Sequence, residues 1–332
     1  MELLPAFALR YPETADEAAR LLSGQADARV LAGGTAFIVN LRLGLVSPGL
    51  LVSLERIPGF RDIVDEGETV RFGAGVTLAR LASNPDVAAR FPALTQAADT
   101  VAGPSHRSVA TLGGNLCLDT RCVFYNQNEI WRRSNGYCLK YRGETCHVAP
   151  QGKHCHAAFS GDLAPALLVL GAEVHIAGPA GARWAPLATL YRDDGAQHLT
   201  LAPGEFVLAV RTRVPPPAMR AAYRKARVRG AIDFPLAGVA VALETVDGRV
   251  RELRVALTGT NSCPLLIAGT EEFRGQAPDA TLCERLVKLV QRQASPQRTT
   301  VTSANYRRQV AAALARRLVN ELAAESARAI AS

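Results

Sequence analysis

The apolar positions of this chain change period several times. Thr14-x-x-Glu17 has the form of a capping box and opens a helix whose apolar side carries Ala18, Leu21 and Leu22, with Gly24 at its end. Arg29-Val30-Leu31-Ala32 reads as a short strand broken by Gly33-Gly34-Thr35. Helical spacing resumes over Ala36–Leu41, and Leu50–Leu54 is the next strand, which makes a small β-turn-α-β unit with glycine at its turn. A second unit starts with the strand Thr69–Phe72 and turns at Gly73-Ala74-Gly75, after which Thr77 caps a helix over Leu78–Ala82. Pro92–Ala102 and Asp162–Leu170 read as helices, and Ala172–Ile176 and Val207–Val214 as strands.

Pro215-Pro216-Pro217 can continue neither helix nor strand and marks a domain boundary. Beyond it the rhythm differs. Ala221–Val228 and Ala237–Thr245 read as two strands or a strand and a helix, and Val250–Thr258 alternates as a strand. Helices follow over Leu282–Gln293 and Asn305–Ala324, the last with Tyr306, Val310, Leu314, Leu318 and Leu322 as one buried stripe.

With 332 residues, 48% of them hydrophobic and 20% charged, the chain has the composition of a soluble protein of two or three domains. No apolar run reaches membrane-spanning length; the longest, near Leu163, is interrupted by Pro165. The start, Met1-Glu2-Leu3-Leu4-Pro5, lacks a basic segment and a cleavage site, which points to the cytoplasm. A net charge of +8 raises the question of nucleic acid, but only 6% of residues are aromatic and no stacking motif interleaves with the basic residues. The charge suits anionic cofactors, CoA-like substrates or an acidic protein instead.

Five of the seven cysteines fall between Cys117 and Cys155, and an odd total argues against a disulfide framework. Cys263 and Cys283 read as small buried hydrophobes. Cys122, Cys138, Cys146 and Cys155 are separated by fifteen, seven and eight residues, with no Cys-x-x-Cys knuckle. Four thiolates complete either a structural zinc site or an iron–sulfur cubane, and spacing leaves the two even. Arg121, Arg132, Arg133, Lys140, Arg142 and Lys153 surround them, a basic collar that would favour a reduced cluster and attract an acidic electron donor. His147, His154 and His156 are left out of the site.

Two glycine turns, Ala32-Gly33-Gly34-Thr35 and Thr111-Leu112-Gly113-Gly114-Asn115, each follow apolar sequence. Either alone is an ordinary tight turn. Together they suit a diphosphate, because successive exposed N–H groups bind phosphate oxygens and Thr35 and Thr111 could add hydroxyls. Neither fits Gly-x-Gly-x-x-Gly, and Gly73-Ala74-Gly75 has Leu78 where a third glycine is needed, so a Rossmann nicotinamide site is not supported.

The order Leu31-Ala32-Gly33-Gly34-Thr35, Ala110-Thr111-Leu112-Gly113-Gly114-Asn115-Leu116, Gly161-Asp162-Leu163-Ala164-Pro165-Ala166-Leu167 resembles the FAD-binding medium subunit of the xanthine oxidase family of molybdenum hydroxylases. The likeness extends to Tyr223-Arg224-Lys225-Ala226-Arg227 and Val255-Ala256-Leu257-Thr258-Gly259. It implies an α+β fold: a two-subdomain FAD-binding domain of the PCMH/VAO type over residues 1–217, with subdomains at about 1–57 and 58–217, and then a small α+β C-terminal domain of the CO dehydrogenase flavoprotein type over 218–332. It also implies FAD contacts at Leu31, Ala32, Gly33, Gly34, Thr35 and Ala36, and at Thr111, Gly113, Gly114 and Asn115. Asp162 would reach a polar group of the cofactor, and Lys225 would lie near the flavin.

Where most members run from the second turn almost directly into the Asp-Leu helix, this chain inserts about forty residues, roughly 119–158. With Cys117-Leu118-Asp119-Thr120-Arg121-Cys122 and Tyr125-Asn126-Gln127-Asn128, the insert is similar to that of the 4-hydroxybenzoyl-CoA reductase branch, where it holds a [4Fe-4S] cluster. That resemblance makes Cys122, Cys138, Cys146 and Cys155 the ligands and leaves Cys117 unligated. It implies no catalytic residue in this chain: electrons pass from a ferredoxin-like donor through the cluster and FAD toward a [2Fe-2S] small subunit and a molybdenum-cofactor large subunit, in a dimer of heterotrimers. There a phenolic hydroxyl is removed from a CoA thioester. The alternative is an oxidative molybdenum hydroxylase whose insert carries structural zinc.

Overall fold

The computed structural model describes residues 4–298 and 302–331, so the first three residues of the start read above lie outside it. Three sheets carry the chain. The first is parallel, with β1 (Ala8–Arg10), β3 (Leu50–Ser53) and β2 (Arg29–Leu31) side by side in that order. The helix Ala15–Gly24 joins β1 to β2, and its start is fixed by Thr14, which accepts from the N–H of Glu17, while the Glu17 carboxylate reaches one residue past the cap and accepts from the N–H of Glu13. The β-turn-α-β unit expected from the sequence is β2, the helix Phe37–Arg42 and β3.

The second sheet is antiparallel. Its strands β4 (Ile63–Asp65), β5 (Thr69–Gly73), β6 (Glu173–Gly178), β7 (Gly181–Pro186) and β8 (Phe206–Arg213) lie in the order β4-β5-β8-β6-β7. The insert interrupts the chain between β5 and β6, far from this sheet's hydrogen-bonded interior.

The third sheet is β12-β11-β10-β9, built from β9 (Met219–Ala226), β10 (Ala237–Val246), β11 (Arg249–Thr258) and β12 (Leu265–Leu266). Asp247 and Gly248 both take positive φ, 50° and 70°, which is the backbone of the two-residue Asp-Gly hairpin turn joining β10 to β11. The sequence left β10 open between strand and helix. All but its last residue are buried, because both faces are covered. Val239, Val241 and Leu243 meet the helices Ala280–Gln293 and Ala304–Ala331, while Ala240 and Ala242 join the core shared with the rest of the molecule. A strand covered on both sides loses its alternation.

The stripe expected on the last helix needs correction. Leu318 and Leu322 are buried, but Val310 and Leu314 are half-buried and Tyr306 is 50% exposed; Ala311, Ala315 and Val319 complete the buried face. A four-residue step turns about 40° too far on a helix of 3.6 residues per turn, so a strict four-residue repeat winds off the core.

The helix Leu163–Val169 is the hub between sheets. All seven of its residues are buried. It packs against β9, β10 and β11 on one side and the helices Pro92–Thr100 and Leu112–Leu116 on the other. Ala221, Ala240, Ala242 and Ala256 face the shared core, and small side chains on a strand let a helix come close.

Candidate functional site: glycine turns and a cysteine cavity

The first glycine turn follows β2. Gly34 takes φ 71°, a conformation glycine adopts without strain. The N–H groups of Gly33, Gly34, Thr35 and Ala36 find no acceptor among the described residues. Leu31 through Ala36 are all half-buried, so these donors lie along an accessible stretch of chain. A run of aligned, unspent N–H groups is what a diphosphate needs.

Gly33 also fixes where the second turn sits. A Cβ there would stand 1.9 Å from the Val109 carbonyl oxygen, so the bare glycine lets residues 109–110 press against the first turn. Just beyond, the second turn is stitched into the protein. Leu112 donates to Val76, Gly113 to Ala74, and Gly114 and Asn115 to the side chain and carbonyl of Thr111. Thr111 is thus an N-cap, and its hydroxyl oxygen already accepts a bond. The Asn115 side chain accepts from the N–H of Leu163, tying this turn to the hub helix. The two turns are neighbours, but in the second the N–H groups of Leu112, Gly113, Gly114 and Asn115 are already spent within the protein.

Asp162 and Lys225 meet each other. The Lys225 ammonium donates to Asp162 Oδ2 at 3.0 Å and to the Thr100 carbonyl at 3.3 Å, and the Tyr223 hydroxyl donates to Asp162 Oδ1 at 2.5 Å. The two side chains are 2% and 3% exposed. Burial pushes the Asp162 carboxyl above its ordinary range, with Lys225 and Tyr223 pulling the other way. Both carboxylate oxygens are therefore occupied within the protein, and the pair joins β9 to the start of the hub helix.

The insert is closed at its neck by reciprocal bonds between Arg121 and Ala158, both at 2.8 Å. Inside, Asn128 caps the helix Glu129–Ser134. The sequence-distant Cys122, Cys138, Cys146 and Cys155 come together as walls of one narrow cavity of about 10 Å³, with Phe124, Tyr125, Leu139, Lys140, His147, Val148 and Ala157. Among the described residues, no three Cys, His, Asp or Glu side chains are grouped as a metal site. Burial raises Cys122 and Cys155, the latter to about 11, while N–H groups of Phe124 and Tyr125 act against it at Cys122 and that of Ala157 at Cys155. Amide donors aimed at sulfur favour the thiolate that a metal requires. Cys117 lies outside this wall, and burial pushes its thiol to about 12.

The cavity is seated on the first subdomain. Leu45 packs with Tyr125 and Cys138, and the buried Arg132 donates to the Gly44 carbonyl at 2.9 Å while its guanidinium lies 4.7 Å from the centre of the Tyr141 ring. Residues 43–45 leave the helix that the first glycine turn begins. Sequence reasoning missed this clasp; it named Lys140 in the basic collar, and His147, which it left out of the site, stands in the cavity wall beside it.

A parallel β-α-β unit with an unspent glycine turn, an antiparallel sheet pressed onto it, and a third sheet backed by two helices define a two-subdomain flavin-binding fold with an appended α+β domain. The chain belongs to the family described as FAD binding domain in molybdopterin dehydrogenase, which matches residues 5–217, and the CO dehydrogenase flavoprotein C-terminal domain matches 221–322. It is similar to the carbon monoxide dehydrogenase medium chain of Afipia carboxidovorans, 28% identical over 96% of each chain. It is also similar to the FAD-binding subunit of an Escherichia coli (strain K12) aldehyde oxidoreductase, 30% identical over 83% of this chain and 88% of that one. The solved Cu,Mo-CO dehydrogenase in its cyanide-inactivated form superposes with a TM-score of 0.80 at 26% identity, covering 97% of this chain and 99% of that one. Among the described residues, no helix is long and apolar enough to cross a membrane.

Proposed function

We propose that this chain is an electron-transfer subunit that holds FAD at its first glycine turn and a [4Fe-4S] cluster in its insert. One observation carries the reading: four cysteines far apart in sequence wall a single cavity, and that cavity sits on the loop leading away from the glycine turn. A four-thiolate donor set suits either a cubane or zinc, and it is the resemblance of the insert that favours the cubane. A single tetrahedral zinc draws four sulfurs to about 3.8 Å of one another, whereas a cubane gives each thiolate its own iron and keeps the sulfurs wider apart.

The protein's part is to bind and orient. The N–H groups of Gly33, Gly34, Thr35 and Ala36 would take phosphate oxygens, with Leu31 and Ala32 forming the edge of the same site. Thr111, Gly113, Gly114 and Asn115 would shape its far wall, and the Asp162–Lys225 pair would stiffen the body behind it. When bound, the two cofactors would supply the redox chemistry of a relay. Residues 1–217 would hold both, and 218–332 would form the second domain.

The relatives' printed names, medium chain and FAD-binding subunit, support a place as one subunit of a larger complex; the partners proposed from the sequence resemblance are a molybdenum-cofactor large subunit and a [2Fe-2S] small subunit, in a dimer of heterotrimers. The exposed Arg133, Arg142 and Lys153 on the insert suit an acidic, ferredoxin-like donor. The cysteine insert supports the reductive direction and, by its resemblance, removal of the hydroxyl of 4-hydroxybenzoyl-CoA in the large subunit.

Anaerobic purification with partners, followed by iron, acid-labile sulfide and zinc analysis, tests this. The expected result is iron and sulfide, with broad visible absorbance lost in Cys122→Ser, Cys138→Ser, Cys146→Ser and Cys155→Ser and kept in Cys117→Ser. Zinc without sulfide, or four unchanged spectra, overturns the cluster. Turnover of the CoA thioester by the same complex with a reduced ferredoxin tests the substrate.

A further inference from the structure

Lys140 stands on the hairpin between Cys138 and Cys146 and lines the cavity that the four cysteines share. Its side chain is only 5% exposed. The ammonium donates to Asp119 Oδ1 at 2.7 Å, to the Thr120 carbonyl at 2.8 Å and to Thr120 Oγ1 at 2.5 Å, which uses all three of its protons. It also stands 4.6 Å from the centre of the Tyr125 ring. Its own partners compensate the burial of the charge and hold it in one position.

Its one acidic partner, Asp119, is 37% exposed and does not line the cavity. No carboxylate and no other Lys or Arg lines it among the described residues. Of the pair, Lys140 alone forms part of the cavity wall, while the field of Asp119 still reaches Tyr125 in that wall. Arg133, Arg142 and Lys153 are exposed, and water weakens their influence. Arg132 is buried, but it is turned to the Gly44 carbonyl and Glu129 and lines no part of the cavity.

We infer that Lys140 is the fixed counter-charge of the cysteine site and sets the poise of the cluster held there. The inference rests on the reading that the insert holds a cubane. A four-thiolate cubane is anionic and gains a further negative charge on reduction, so a buried cation at its wall favours the reduced form. Lys140 is a positioning residue for charge, and the hydrogen bonds to Asp119 and Thr120 hold it in place.

The test is an anaerobic redox titration of the cluster, followed by its absorbance and magnetic resonance, in the full complex carrying wild-type chain, Lys140→Met, Lys140→Arg or Asp119→Asn. At a fixed poise Lys140→Met should show at least a tenfold lower ratio of reduced to oxidised cluster, which for one electron is a midpoint lower by about 59 mV. Lys140→Arg should stay near wild type. Asp119→Asn, which keeps the cation and removes its acidic partner, should move the ratio the opposite way. A Lys140→Met protein with full iron and sulfide and an unshifted midpoint overturns the inference. If Lys140→Met loses the cluster, the Asp119→Asn midpoint decides: an upward shift supports the counter-charge and no shift overturns it. Wild-type complex without iron and sulfide fails earlier, at the cluster reading itself.

Discussion

A methyl group on Gly33 would sit 1.9 Å from the Val109 carbonyl oxygen, a backbone atom that cannot rotate away. Gly33→Ala should therefore push the first turn off residues 109–110, costing about 1–3 kcal/mol in stability and releasing FAD on desalting. Gly24→Ala is the control, because nothing lies within 4 Å of its added Cβ. It should keep its flavin and its melting temperature, both read by absorbance and thermal unfolding. The glycine pair and the cysteine quartet were legible in the sequence because their residue types carry unusual chemistry. The partners were not: Val109 is an ordinary apolar residue, and nothing local marks its carbonyl as the neighbour of Gly33. Asp162 was legible as important for the same reason, yet its pairing with Lys225 and Tyr223 depends on a strand that the chain reaches only after the whole insert and second sheet.

At the scale of elements, periodicity worked where one face of a segment meets water. The Thr14 cap, the β-α-β unit and β11 came out as read. It failed where both faces are covered, as in β10, and where a repeat of four imitated a helical stripe. The last helix makes the second failure measurable. Leu318 is fully buried and Tyr306 half exposed, although both belong to the same four-residue series. Leu318→Ala should cost about 2–5 kcal/mol through lost burial and a cavity, while Tyr306→Ala should stay within about 0.5 kcal/mol of wild type. Equal losses for the two in urea denaturation would mean that the helix is rotated from the face described.

At the scale of the whole molecule, the third sheet is joined to the flavin-binding body through one buried ion pair as well as through apolar packing. Lys225 on β9 and Asp162 at the start of the hub helix each lie within 3% exposure, so neither charge is solvated if the other is removed. Lys225→Met should leave an unpaired buried carboxylate and destabilise the chain by about 3–5 kcal/mol, and Asp162→Asn should strand the ammonium at similar cost. The double variant should recover most of the loss, because an apolar methionine beside an amide that still accepts from Tyr223 leaves no buried charge. Denaturant titration of the four proteins gives the coupling energy directly. Additive losses would mean that the pair contributes no more than its two side chains separately, and that the apolar contacts of the hub helix with Ala240, Ala242 and Ala256 hold the third sheet in place on their own.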